Sequence, residues 1–212
     1  MSLILVYSLL TRWLPCLSRY ERVAKLRFPT PPLQDGTKDA FVDVWSRHYA
    51  DPNEHLYIEN IERELTVPVI QALFEWKNGS RMSVLKHKRV VEYYRPGDQV
   101  HLSLNNDEAI YDYVGRDNAA IWNVFWLHCL APTKFPIYDQ HAHRAMMFMN
   151  GAADDLEIPS SPKKKAQCYV DDFMPFFAEI VGPRPTIQSS RQVDRSLFAF
   201  GKFIKSVRTE LW

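Results

Sequence analysis

The densest chemistry in the chain lies in one short stretch, FPIYDQHAHRAM, Phe135 to Met146, where a carboxylate, Asp139, precedes two histidines, His141 and His143. Three roles are open to Asp139. As the residue before a helix it would accept hydrogen bonds from the N–H groups of the first turn. Those N–H groups and the helix dipole also favour an ionised carboxylate, so capping a helix and acting as a catalytic anion are compatible. The third role is metal ligation with His128 and His141. Two positions apart on a helix, however, His141 and His143 point about 200° from each other and do not converge on one ion. No zincin or zinc-deaminase spacing occurs in the sequence. The expectation is therefore no metal and no cofactor.

Other residues with chemical potential have a packing role that competes. Cys129 lies in an apolar run, where a free cysteine behaves as a small hydrophobe, and its neighbour His128 diverges from it along a helix. Trp122, Phe125 and Trp126 stand at i, i+3 and i+4, a spacing for core packing or for a base-stacking platform. Trp76, in FEWKNG near a helix end, is the better candidate for partial exposure. The basic clusters Lys86 to Arg89 and Lys163 to Lys165 read as solvated faces, and become phosphate contacts only if they line the side of the site. Gly115, in DYVGRDNAA, reads as a turn glycine or as part of a nest of N–H groups that holds a phosphate at the next helix N-terminus.

The elements that must position these groups read as helices. From Asp39, a plausible cap, Phe41, Val44, Trp45 and His48 recur with helical period. Pro68 breaks the following segment into two helices, Asn78-Gly79 closes the second, and RMSVLKHKRVVEYY forms another before Pro96-Gly97. Asn118 to Leu130 is apolar almost all round, as a central buried helix requires. After Asp139, Ala142, Ala145, Met146 and Met149 share a face, with Asn150-Gly151 as the stop. IPSSPKKKAQ and GPRPTIQSSRQ read as loops, and VDRSLFAFGKFIKSV as a last amphipathic helix. No run alternates as strands do, so the fold class is mainly α, organised as a packing segment over 1–27, a proline-rich connector over 28–38 and one helical domain over 39–212.

Charge and cysteine content narrow the function classes. Lys and Arg number 26 against 25 Asp and Glu, so no global field steers the chain to nucleic acid, and any such site must be a local patch. Three scattered cysteines do not make a disulfide framework or a four-cysteine metal site, which points to a reducing cytoplasm. The apolar start MSLILVYSLLTRWLPCL has no basic residue ahead of the run, is interrupted by Arg12 and lacks a cleavage site, so no membrane anchor is expected.

Two features occur in the order found in the helix-hairpin-helix superfamily of base-excision DNA glycosylases. VGRDNAA, Val114 to Ala120, resembles the second half of that family's hairpin, and FPIYDQH, Phe135 to His141, resembles its catalytic segment. In the family a glycine-bearing hairpin, a buried helix, a Pro-apolar-Asp-x-His turn and a further helix follow one another. Here Gly115 and Asp139 stand 24 positions apart (139 − 115), room for one helix and a turn. The resemblance implies the two-lobed fold of that superfamily, with double-stranded DNA as partner, a flipped damaged or modified base as substrate, and a monomer. It implies that Asp139 stabilises the sugar cation and activates water, and that His141 positions Asp139 or meets a phosphate. Val114, Gly115, Arg116 and Asn118 would grip the strand, while Trp76 and Trp122 would line the base pocket.

Departures from the family's pattern refine the expectation. Tyr113 stands where a second hairpin glycine is usual. Asp117 replaces the lysine that forms a Schiff base in members that also cut the strand, which implies a monofunctional enzyme that leaves an abasic site, in repair or in defence against modified phage DNA. Two further readings stay open: a non-catalytic helical protein that binds DNA or a protein partner, and a metal-dependent hydrolase that uses His128, Asp139 and His141.

Overall fold

The computed structural model describes residues 38–152 and 155–211. The packing segment 1–27, nearly all of the connector 28–38 and Cys16 lie outside the described residues. The chain is mainly helical, with 68% helix and no strand among the described residues. In order, the helices are α1 Lys38–Arg47, α2 Glu54–Ile58, α3 Val67–Asn78, α4 Val84–Tyr93, α5 Val100–Ser103, α6 Asp107–Gly115, α7 Ala120–Leu130, α8 Gln140–Met149, α9 Pro162–Gln167, α10 Met174–Val181 and α11 Ile187–Leu211. A 3₁₀ turn at Arg116–Asn118 joins α6 to α7, and a π-helical turn at Cys168–Phe173 joins α9 to α10.

The chain divides into two compact units. One, the terminal unit, takes the described parts of Met1–Tyr49, Ile137–Ser160 and Asp171–Trp212, and the other, the central unit, comprises Ala50–Pro136 and Ser161–Val170.

In the central unit the core is built on α7, whose near-uniform apolarity leaves Val124, Phe125, Trp126 and Leu127 at most 1% exposed. Phe74 of α3, wholly buried, stacks on Tyr94 at 4.7 Å and on Trp122 at 5.2 Å, and meets Phe125 edge-on. Local sequence sets the ends of these helices. Pro68 fits the first turn of α3, where its missing N–H costs nothing. Gly79, at φ 71°, ends it in the left-handed conformation that glycine adopts freely. The hydroxyl of Ser83 caps α4 by accepting from the N–H of Lys86, and Asn106 caps α6 by accepting from Ala109.

The terminal unit is organised on α11, which packs against α1 and α8. Phe41 and Trp45 of α1 are buried against Phe200, and Trp45 also meets Phe203. Ala142, Ala145, Met146 and Met149 form the buried face of α8, as their spacing requires.

Four local expectations are corrected. IPSSPKKKAQ is a loop only as far as Ser161, because Pro162 starts α9 and the lysines are helical. Most of GPRPTIQSSRQ is the first turns of α11, since the helix begins at Ile187, past the last proline. Asp39 lies inside the first turn of α1 and does not precede it, and His48 falls beyond the last residue of that helix and is exposed.

Candidate active site and nucleic-acid contacts

Asp139 is placed by a change of backbone at the start of α8. The approach is extended, with Asp139 at φ −155°, and its Oδ1 accepts hydrogen bonds from the N–H groups of His141 at 2.8 Å and Ala142 at 3.0 Å. The carboxylate is thus an N-cap, half-buried, at the positive end of a ten-residue helix. Two N–H donors on one oxygen favour its ionised form.

His141 and His143 diverge as their spacing requires. His143 is 2% exposed, and its Nδ1 lies 2.8 Å from the Tyr138 hydroxyl, which makes it part of the interior. His141 is half-buried with its ring 4.8 Å from that of Phe198 on α11. Burial holds the His141 imidazole below the ordinary histidine range; Asp139 opposes this, while Arg144, Lys205 and Lys202 reinforce it. The neutral ring has one proton, and Nδ1 faces Nη1 of Arg144 at 3.3 Å. A guanidinium only donates, so Nδ1 is the acceptor and the proton sits on Nε2. His141 therefore offers one N–H donor beside Asp139.

Arg144 is a residue that sequence reasoning missed. It is 1% exposed, its Nη2 is 3.5 Å from the exposed carboxylate of Glu157, and Nη1 reaches the carbonyl of Gly201 at 3.5 Å. Both are long bonds, and among the described residues Nε meets no acceptor. A second missed residue is Gly201. A Cβ there would fall 2.0 Å from the carbonyl oxygen of His141, so only glycine lets α11 approach the first turn of α8 this closely. A glycine within an aromatic helix carried that signal.

The hairpin residues lie in the central unit. Gly115 is the last residue of α6 at φ −75°, ψ −8°, an ordinary right-handed conformation, which corrects its reading as a turn glycine or nest. The turn is made instead by Asp117 and Asn118, both at φ 55° and both exposed, residue types that tolerate the left-handed region. Tyr113 lies four residues before this reversal; its ring is buried under the Arg116 guanidinium, 3.8 Å away, and burial pushes its hydroxyl up to about 12.

Val114 is wholly buried, and its carbonyl accepts from the side chain of Asn123, so it does not face solvent as a strand contact. Asn123 is 0% exposed, and its amide also meets the carbonyls of Tyr113 and Arg116 while its oxygen accepts from the Tyr94 hydroxyl at 2.9 Å. This one side chain satisfies the carbonyl end of α6 and so pins the turn that follows it.

Arg116 and Asn118 remain exposed at the turn. Lys163 and Lys164 of α9 are exposed beside it, with the Cα of Lys163 3.8 Å from where a Cβ on residue 115 would lie. The Lys163 to Lys165 cluster therefore adjoins the end of α6 and the turn at Arg116–Asn118.

Trp76 is 7% exposed between Tyr57 and Phe125, so the expected partial exposure is corrected: its helix turns that face inward. Trp122 is half-buried, stacked on Phe74 with the Lys86 ammonium 4.8 Å from its ring. His128 is buried with Nδ1 2.8 Å from the carbonyl of Phe135 and Nε2 2.7 Å from the Tyr57 hydroxyl. The carbonyl requires Nδ1–H, so Nε2 accepts from Tyr57 and both ring nitrogens are engaged within the central unit. Cys129 is buried, and its thiol is pushed well up by burial, as an inert core group.

Among the described residues no group of three or more His, Cys, Asp or Glu side chains could hold a metal ion, and no helix is long and apolar enough to cross a membrane. Comparison with protein-family models, with curated proteins and with solved structures returns no match.

Proposed function

We propose that the chain is a monofunctional DNA glycosylase that removes a damaged or modified base from double-stranded DNA and leaves an abasic site. The observation that carries this reading is the carboxylate of Asp139, half-exposed and favoured as an anion by two N–H donors at the start of α8, in a segment that resembles the catalytic turn of the helix-hairpin-helix glycosylases. Further support comes from two helices, α6 and α7, joined by a short connection over 116–119 upstream of it, and from the division into two compact units.

In the proposed reaction the bond between C1′ of the sugar and the base nitrogen breaks, and its electron pair leaves with the base, which takes up a proton. Positive charge develops on the sugar, where the Asp139 anion stabilises it. Water then attacks C1′ and gives its proton to Asp139, which releases it to solvent as the solvent supplies the proton taken up by the departing base, so the anion is restored. Extrusion of the base costs a few kcal/mol, least where pairing is already weak. The neutral His141 contributes its Nε2–H to a phosphate or to the orientation of Asp139. At the hairpin, Arg116, Asn118, Lys163 and Lys164 supply donors to the backbone, which fix register without reading sequence. With Asp117 in place of a lysine, no Schiff base forms there and strand cleavage does not follow by that route.

The test is incubation with duplexes that carry a panel of damaged and hypermodified bases, followed by alkali to break abasic sites. Alkali-labile product that disappears with Asp139→Asn supports the reading. Product retained in full by Asp139→Asn overturns it.

A further inference from the structure

The chain is nearly neutral, so a protein that acts on DNA has to concentrate its positive charge locally. One face of α11 does so. Arg191, Arg195, Phe198, Lys202 and Lys205 recur at i, i+4, i+7, i+11 and i+14, which on a helix lines them up in one stripe. Arg195 is half-exposed, and Lys202 and Lys205 are exposed. From Arg195 to Lys205 the stripe is about 15 Å long, a length over which one strand of duplex DNA presents about four phosphates.

The stripe is ordered by aromatic rings. Tyr49 lies 5.0 Å from the Arg191 guanidinium and 5.5 Å from that of Arg195, and its ring is 5.5 Å from Phe198. Phe198 in turn carries the Lys202 ammonium at 5.5 Å and the His141 ring at 4.8 Å. Cations held against rings lose less conformational entropy when they take up a phosphate. Among the described residues Asp194, next to the stripe, is engaged by Arg191. At Phe198, midway along, the stripe meets the ring of His141, two residues after Asp139 in the sequence.

We infer that the Arg195, Phe198, Lys202 and Lys205 face of α11 is a track for the phosphate backbone of duplex DNA that leads to Asp139. This rests on the reading of the chain as a protein that acts on DNA, and it assigns that contact to a helix outside the hairpin.

The experiment is fluorescence anisotropy of the full chain on a short labelled duplex across a series of salt concentrations, with the variants Lys202→Gln/Lys205→Gln and Lys202→Arg/Lys205→Arg. Loss of two phosphate contacts should weaken low-salt binding about tenfold and reduce the slope of log K against log salt by about 1.8. The double Arg variant should restore both, which a merely structural role of the lysine stems would not require. An unchanged slope in the double Gln variant overturns the track, even if abasic product forms. A reduced slope with no abasic product from any modified duplex upholds the track and removes the glycosylase. Anionic phosphatidylserine vesicles bound through these lysines, with no duplex binding, overturn DNA as the occupant.

Discussion

Asp139 holds a helix end and the proposed chemistry on the same carboxyl, so the two roles separate only under a substitution that keeps one of them. Asparagine caps helices about as well as aspartate but has no charge to set against a sugar cation. Asp139→Asn should therefore stay within about 0.5 kcal/mol of the parent in urea unfolding while base excision falls at least about 100-fold, whereas Asp139→Ala should also lose about 1 kcal/mol. A stability loss in Asp139→Asn as large as in Asp139→Ala would show that the negative charge, and not the bonding oxygen, holds the helix end. Asn123 is the complementary case, a residue with a wholly internal role. Its amide is shared by the carbonyls of Tyr113, Val114 and Arg116. Asn123→Leu should cost about 3 kcal/mol, because apolar bulk of similar size leaves these carbonyls and the Tyr94 hydroxyl without that partner. Equal urea midpoints for the two proteins would show that another group or water takes over.

At the scale of elements, two glycines that look alike in sequence have opposite requirements. A Cβ at Gly201 meets the backbone of His141 at 2.0 Å, and a carbonyl cannot rotate away as a side-chain tip can. One at Gly115 finds its nearest neighbour, Ala166, at an ordinary 3.7 Å, in a right-handed backbone any residue adopts. Gly201→Ala should destabilise by about 1–3 kcal/mol or more and displace the first turn of α8. Gly115→Ala should be neutral or stabilising by up to about 1 kcal/mol, as read by chemical denaturation. The reverse order of midpoints would sink both assignments.

This contrast marks how far the sequence is legible. Helices with local punctuation stand close to where it places them: Pro68 and Gly79 around α3, Asp139 and Gly151 around α8, and the all-apolar α7. The misses have a physical pattern. α9 begins inside a stretch dense in Ser, Pro and Lys, because proline is as good a first residue of a helix as it is a loop residue. Glycine is the usual left-handed residue, so the sequence points to Gly115 for the turn, yet Asp117 and Asn118 take that conformation. Of the candidate site, the Asp139 cap and the divergence of His141 and His143 follow from spacing alone. The burial of Trp76, the two spent nitrogens of His128 and the Asn123 pin depend on long-range partners that no local window contains.

For the molecule as a whole, near-zero net charge means that ionisation of a few buried groups, more than global repulsion, sets the response to pH. His141 and His143 both have pKa values lowered, foremost by burial. For His143, Asp155, a backbone group of Glu157 and Asp172 oppose the shift and Arg144 reinforces it; for His141, Asp139 opposes it. A base whose folded pKa lies below its unfolded value binds more protons when unfolded. Stability from the neutral state is then present above the unfolded value of about 6.5 and is lost as pH falls below it, until the folded values are passed. Urea midpoints should accordingly fall between about pH 7.5 and 5.5. His143→Gln, which removes one of the two titrations, should flatten that dependence even if it lowers the midpoint at pH 7.5. If the protein with both histidines has a flat or rising midpoint on acidification over this range, then burial of the two rings is compensated by the carboxylates around them, and the sign assigned here is wrong.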